Sequence, residues 1–164
     1  MMQQVRHGFE PVIDGASRVL VLGTMPSPAS RENGFYYGHP RNRFWKVIAR
    51  LFMADEPVTV EQKRALLLDN GIALWDVLKS CDINGASDAS IRNAVANDIA
   101  GLMENSGIRA IFFNGTEAAR LFRKLCHGQG AGLATIALPS TSPANAAYSL
   151  ERLCSEYSCM LEYW

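Results

Sequence analysis

Four short apolar runs, at residues 18–24, 72–77, 108–113 and 134–138, constrain this chain more than any other feature. Each is too short for a buried helix and is rich in Val, Ile, Leu or Phe, and three of them stop at Gly23, Asn114 and Pro139, which is how a strand buried on both faces reads. Between them lie segments of helical periodicity. Phe44, Val47, Ile48, Leu51 and Phe52 recur at i, i+3, i+4, i+7 and i+8 and predict a helix over about 42–53, started after Pro40. Thr59-Val-Glu-Gln62 is a capping box that opens a second helix over 63–69, stopped by Asn70-Gly71. Ile91, Val95, Ile99, Leu102 and Met103 predict a third, ending near Gly107. A fourth, N-capped by Thr116, carries Ala119, Leu121, Phe122 and Leu125, and a last one runs from about 149 to 162.

Strands alternating with helices predict an α/β protein, a three-layer α/β/α sandwich around a central, mainly parallel four-stranded sheet, in a single domain spanning 1–164. Composition agrees. Apolar residues make up 48% and charged residues 20%, the profile of a packed protein rather than a disordered one. No apolar run approaches the roughly 18 residues that cross a bilayer, and the N-terminus has no apolar signal core, which predicts a cytoplasmic protein with no membrane partner. Cys81, Cys126, Cys154 and Cys159 follow no metal spacing and His7, His39 and His127 no helical pairing, so neither a metal nor a disulfide framework is expected. The nucleotide-binding glycine motifs and the serine nucleophile elbow are missing, so no cofactor is expected.

In a parallel sheet the ligand site lies beyond the carboxyl ends of the strands. Residues 23–43, Asn114 and residues 139–145 fall there. The segment Gly34-Phe-Tyr-Tyr-Gly-His-Pro-Arg-Asn-Arg-Phe-Trp45 crowds five aromatics and two arginines into twelve residues, the combination that an unstacked base and its flanking phosphates require. Phe44 reads as a core residue of the following helix, and His39 as a turn residue before Pro40. Tyr36 and Tyr37 read equally as packing or as a stacking platform. Asn42 has two readings, a cap at the helix start or an amide that orients a water molecule. The net charge is zero, yet residues 1–50 carry seven Lys or Arg against three acids, so a basic face on a neutral body is expected.

Three motifs together, Gly23-Thr-Met-Pro-Ser27, the 34–45 segment and Leu138-Pro-Ser-Thr-Ser-Pro-Ala-Asn145, resemble the uracil-DNA glycosylase superfamily, and within it the hypoxanthine-DNA (deoxyinosine) glycosylase branch. The resemblance implies that Gly23, Thr24, Met25 and Pro26 border a base pocket and that Tyr37 stacks on the extruded base. It also implies that 139–143 touches the DNA. Mismatch-specific uracil enzymes carry Asn where this chain has Met25; in the hypoxanthine branch the water-holding role is assigned to Asn42. The most active uracil enzymes carry His where this chain has Leu138, so robust uracil excision is not expected.

The expected activity is therefore monofunctional removal of a deaminated base, most readily hypoxanthine, from DNA by a monomer, with Asn42 as the catalytic residue. Asn114 either reads the base or serves a turn. Arg41, Arg43, Lys46 and the backbone around Ser140, Thr141, Ser142 and Pro143 are the expected DNA contacts. The alternatives are an idle lesion-binding module of the same fold and an enzyme acting on free nucleosides.

Overall fold

The computed structural model describes residues 1–164. Its elements in chain order are β1 (Met2–Arg6), β2 (Val19–Gly23), α1 (Pro28–Asn33), α2 (Phe44–Leu51), α3 (Val60–Asp69), β3 (Ile72–Asp76), β4 (Leu78–Asn84), β5 (Ser87–Ala96), α4 (Ile99–Met103), β6 (Ala110–Asn114), α5 (Thr116–Leu125), β7 (Ala134–Leu138) and α6 (Leu150–Tyr157), with a closing 3-10 turn. The four expected strands form one sheet of order β3-β2-β6-β7, parallel at every pairing.

Side-chain alternation along β2 divides the core in two. Val19 and Val21 face one cluster with Phe44, Val47 and Ile48 of α2, Leu67 of α3 and Leu153 of α6. Leu20 and Leu22 face the other with Leu121 and Phe122 of α5 and Ile99 of α4. Both faces of β2, β3 and β6 are therefore buried, which is why they read as continuous apolar runs rather than alternating ones; β7 departs from that expectation, because it lies at the edge of the sheet and buries only Leu138. No helix is long and apolar enough to cross a membrane.

The second face departs from the sequence expectation. The first part of the third expected helix, residues 91–96, lies in strand β5, which pairs antiparallel with β4 and, through it, with β1 in a separate three-stranded sheet. Val95, read as an inward helical position, is 51% exposed. The turn at Asn84-Gly85, with Gly85 at φ 59°, closes the hairpin. Apolar residues spaced by four satisfy strand period 2 as well as helix period 3.6, so the spacing alone does not discriminate. Only α4 survives of that helix, N-capped by the Asp98 carboxylate, which accepts from Gly101 N–H. Two smaller differences sit elsewhere. The loop after β2 contains the short helix α1, and α5 is N-capped by Gly115 at φ 105°, with Thr116 as its first residue and no side-chain cap.

The chain passes from the parallel sheet into the hairpin within one residue, Val77. Its N–H donates to Gly23 O, and the Asn97 side chain bridges the step, donating to Asp76 O at 3.0 Å and Leu78 O at 3.1 Å. This junction places the hairpin over the carboxyl end of the sheet. Asp88, near the start of β5, is half-buried there, and burial pushes its carboxyl up to about 6, opposed by a hydrogen bond from Thr24 and reinforced by Glu117 and Asp76.

Asn97→Ala removes both bridging donors and is expected to lower stability by about 2 kcal/mol and Tm by about 4–8 °C in a thermal melt. Asp88 supplies a pH signature of opposite sign to a salt-bridged carboxylate. Its folded value of about 6 lies above the ordinary 3.8, so the folded state holds the extra proton between those values and stability falls as pH rises through that window. Asp88→Asn is expected to melt above the parent at pH 7 and together with it below about pH 4, as paired melts would read.

Candidate active site

Strand register alone gathers four residues at one edge. Gly23 ends β2 opposite Asp76 at the end of β3, and Asn114 ends β6 opposite Leu138 at the end of β7. Above them opens a cleft of about 120 Å³. Of the sequence-predicted residues, Gly23, Thr24, Met25, Pro26, Tyr37, Asn42, Asn114, Ser140, Thr141 and Ser142 all line it, although they come from four separate stretches of chain.

The loop after β2 is braced from within. Ser27 caps α1 by accepting from Ser30 N–H, Arg31 Nη1 donates to Pro26 O at 2.8 Å, and Gly34 ends the helix at φ 76°. Ser30 Oγ accepts from Gly38 N–H at 3.0 Å, and Trp45 Nε1 donates to Tyr36 O at 3.1 Å, tying the aromatic segment to both helices that flank it. Tyr36 is core, its hydroxyl donating to Glu10 O. Tyr37 sits at φ 53°, its ring 4.3 Å from that of Phe44, with a buried hydroxyl that has no partner. His39 Nδ1 accepts from Arg41 N–H, the turn role read for it in the sequence.

A chain of hydrogen bonds connects the back of the cleft to the Asn42 amide. Asn114 Oδ1 accepts from Thr141 N–H at 2.9 Å and lies 3.0 Å from the Tyr157 hydroxyl; Asn114 Nδ2 donates to Thr141 Oγ1 at 2.9 Å. Thr141 Oγ1 donates in turn to Asn42 Oδ1 at 2.8 Å, and that same oxygen accepts from Phe44 N–H at 2.9 Å. Both lone pairs of Asn42 Oδ1 are thus occupied, which fixes the amide orientation and leaves Nδ2 with its two N–H donors toward the cleft. The two readings of Asn42 are compatible in one geometry, since one end braces the start of α2 and the other is free.

Arg43 departs from its expected place. Its Nη1 donates to Tyr148 O and its Nη2 to Ser142 O and Asn145 O, both at 2.9 Å, while its backbone N–H donates to Thr141 O. A guanidinium engaged with three carbonyls is a clamp on the 139–148 loop, not a free phosphate contact. Arg41 and Lys46 are exposed, and they and Pro143 lie outside the cleft lining.

Three residues of the site escaped the sequence reading. Asp76 lines the cleft, and its Oδ2 lies 2.7 Å from His7 Nε2, with the two side chains only 4% and 3% exposed. Asp88 lines it from the hairpin. The charge of Asp76 at the carboxyl end of an apolar strand was a visible signal, because that is where parallel sheets place ligand groups. His7 and Asp88 gave none, since only the second sheet brings them in. The cysteines are free and scattered, with Cys81 and Cys126 buried in the second core.

Residues 10–164 match the model of the Uracil DNA glycosylase superfamily. A hypoxanthine DNA glycosylase of Methanosarcina acetivorans is 35% identical over 150 residues, covering 90% of this chain and 93% of the relative. A hypoxanthine DNA glycosylase of Methanosarcina barkeri is 31% identical over 142 residues, covering 85% and 88%. A solution NMR structure assigned to a uracil DNA glycosylase of Methanosarcina acetivorans superposes with a TM-score of 0.79 at 32% identity, covering 98% of this chain and 99% of the other. With this family match over nearly the whole length, and the motif residues converging on one cleft at the sheet edge, the chain belongs to the uracil DNA glycosylase superfamily.

Proposed function

We propose that this protein is a monofunctional DNA glycosylase that flips hypoxanthine out of deoxyinosine-containing DNA and hydrolyses its N-glycosidic bond. The observation that carries this reading is the Asn42 amide, whose oxygen is pinned by Phe44 N–H and Thr141 O–H so that its N–H donors face the cleft. Family membership supplies the reaction class, and the names of the two Methanosarcina relatives supply the base.

The chemistry suits a neutral amide. Extruding a base costs a few kcal/mol, least for a mispaired one, so selection begins before the pocket is filled. In a dissociative displacement the sugar gains oxocarbenium character before water bonds to C1′, as in other glycosyl hydrolyses. The attacking water then needs position more than deprotonation, and a rotationally fixed donor supplies position. Tyr37 and Met25 offer apolar surface to the base, and the Asn114 Nδ2 hydrogen that Thr141 does not use is a donor for charge developing on the departing purine. No lysine is among the lining residues, so the reading includes no Schiff base and no strand scission.

DNA binding falls to few groups. Arg41 and Lys46 are the exposed cations of the 34–46 segment, and Arg43 contributes by holding the 139–148 loop in the shape that meets the backbone.

Single-turnover release from oligonucleotides carrying hypoxanthine, xanthine or uracil, read by alkaline cleavage, tests this reading directly. The parent is expected to act fastest on hypoxanthine, and Asn42→Ala to lower release by about 100-fold or more with lesion binding retained. Release that survives the substitution would reduce Asn42 to a brace for α2. In salt titrations of binding, Arg41→Ala and Lys46→Ala are each expected to flatten the slope of log K against log salt by about 0.9, whereas Arg43→Ala lowers affinity through the loop.

A further inference from the structure

Four titratable side chains line the cleft: Tyr36, Tyr37, Asp76 and Asp88. Three of them are committed. The Tyr36 hydroxyl donates to Glu10 O, and burial holds both the Tyr36 and Tyr37 hydroxyls well above their ordinary range, so neither gives up a proton near neutrality. Asp76 Oδ2 lies 2.7 Å from His7 Nε2, and Phe9 N–H donates to His7 Nδ1 at 3.3 Å, which puts the imidazole proton on Nε2 and occupies Asp76 as its acceptor. The other oxygen of Asp76, which a Cβ at Gly23 would overlap, carries no proton either. The wall amides of Asn42 and Asn114 do not titrate.

Asp88 is the exception. It lines the cleft from the hairpin, beside Gly85 and Ala86. It also lines a second, more open groove that runs past Pro139 and Tyr148, and Ala86, Ser140 and Ser142 are common to both. The carboxyl therefore stands where the cleft meets solvent. Its charged surroundings are acidic: Asp76 from β3, Glu117 from α5, which is paired with Arg120, and Glu156 of α6 on the groove. No Lys or Arg lines either cleft or groove. Burial among these acids raises the carboxyl to about 6 against the Thr24 hydrogen bond, so it holds a proton closer to neutrality than an ordinary aspartate does. A carboxyl of that kind at the edge of a cleft, with a route to solvent for reloading, suits general acid work.

The departing base has a use for it. When the C1′–N9 bond breaks, its electron pair enters the purine, and N7, the basic nitrogen of the same imidazole ring, is conjugated with N9. A proton delivered there lets hypoxanthine leave as a neutral molecule, whereas uracil has no such nitrogen.

We infer that Asp88 is a catalytic residue, the general acid that protonates N7 of the flipped hypoxanthine as its glycosidic bond breaks. The inference rests on the glycosylase reading and adds to it a proton donor, which neither wall amide can be. The proton passes from the Asp88 carboxyl to N7, and the C1′–N9 electron pair stays with the purine. Water bonds to C1′ and releases a proton to solvent, and the Asp88 carboxylate takes a proton back through the groove.

Single-turnover release from hypoxanthine DNA at saturating enzyme, followed over about pH 5 to 9, reads the acid in the bound complex. The protonated form is the active one, so the rate is highest at low pH and falls as the proton is lost. The parent is expected to be level below a break at about 6 or higher, since bound DNA adds negative charge, and to lose about tenfold per pH unit above it. Asp88→Asn is expected to release hypoxanthine about 100-fold more slowly at the parent's plateau and to lose the falling limb, with lesion binding retained. A residue that only holds the hairpin would lower the rate and leave the limb in place. Asp88→Asn that matches the parent, or that is slower with the limb intact, overturns the inference and leaves the glycosylase reading standing, as does a parent with no limb. A parent that releases no hypoxanthine at any pH overturns both. Should Asp88→Asn fail to fold in a melt, the parent is given 7-deazahypoxanthine, which has carbon at position 7, and each rate is divided by that of the same DNA without enzyme. Release about 100-fold or more slower than hypoxanthine supports the inference, and a smaller difference overturns it.

Discussion

The hydroxyl of Thr141 is the joint on which the site depends. Fully buried, it accepts from Asn114 at the end of a central strand and donates to Asn42 just before α2, while its own N–H returns to Asn114. Three segments far apart in sequence are locked by one side chain. A hydroxyl is suited to this because it donates and accepts at once, so it passes direction from one amide to the next. The amide orientation of Asn42 is the end product of that relay, and it is what turns an ordinary helix-start asparagine into a fixed donor over the cleft.

Arg43 supports the same joint from outside. A residue whose neighbours Arg41 and Lys46 are exposed is itself half-buried, because three carbonyls of the 142–148 stretch converge on its guanidinium. Carbonyls in an irregular loop leave no strand partner to satisfy them, and a planar fork of donors meets several at once. The charge that the sequence offers to DNA is thus partly used to hold the loop. A chain of net charge zero that binds a polyanion relies the more on shape and on a few exposed cations.

The floor of the cleft follows a different rule from its walls. The walls are neutral amides and hydroxyls that bond one another, whereas Asp76 is a carboxylate bonded on one side only by a histidine that follows β1. Gly23 keeps that oxygen uncovered. The hairpin adds a second carboxyl, Asp88, which burial drives toward its neutral form, so the two acids of the site differ in surroundings as well as in depth.

The four strands of the parallel sheet, the helices α2, α3 and α5, and the motif residues around the sheet edge were legible in the sequence, because short apolar runs between helical segments have few ways to fold, and parallel sheets put their ligands at one end. Gly23, Tyr37, Asn42 and Thr141 were found by motif and Asn114 by its place at a strand end, and they meet in one cleft. The antiparallel sheet was not legible, since Ile91 and Val95 fit two periodicities and only pairing with β4 chooses between them. Its consequences were hidden with it: through that sheet Asp88 reaches the cleft and His7 reaches Asp76, and neither carries a local signal. The fate of Arg43 was hidden for a related reason, because charge is a property of the residue whereas its partners are three carbonyls about a hundred residues away. Sequence by itself determined which backbone would be buried and where its ends would gather, through local pattern and propensity. The tertiary structure alone decided which polar groups saturate one another and which remain open to a ligand, because hydrogen-bond satisfaction is settled between segments that only folding brings together.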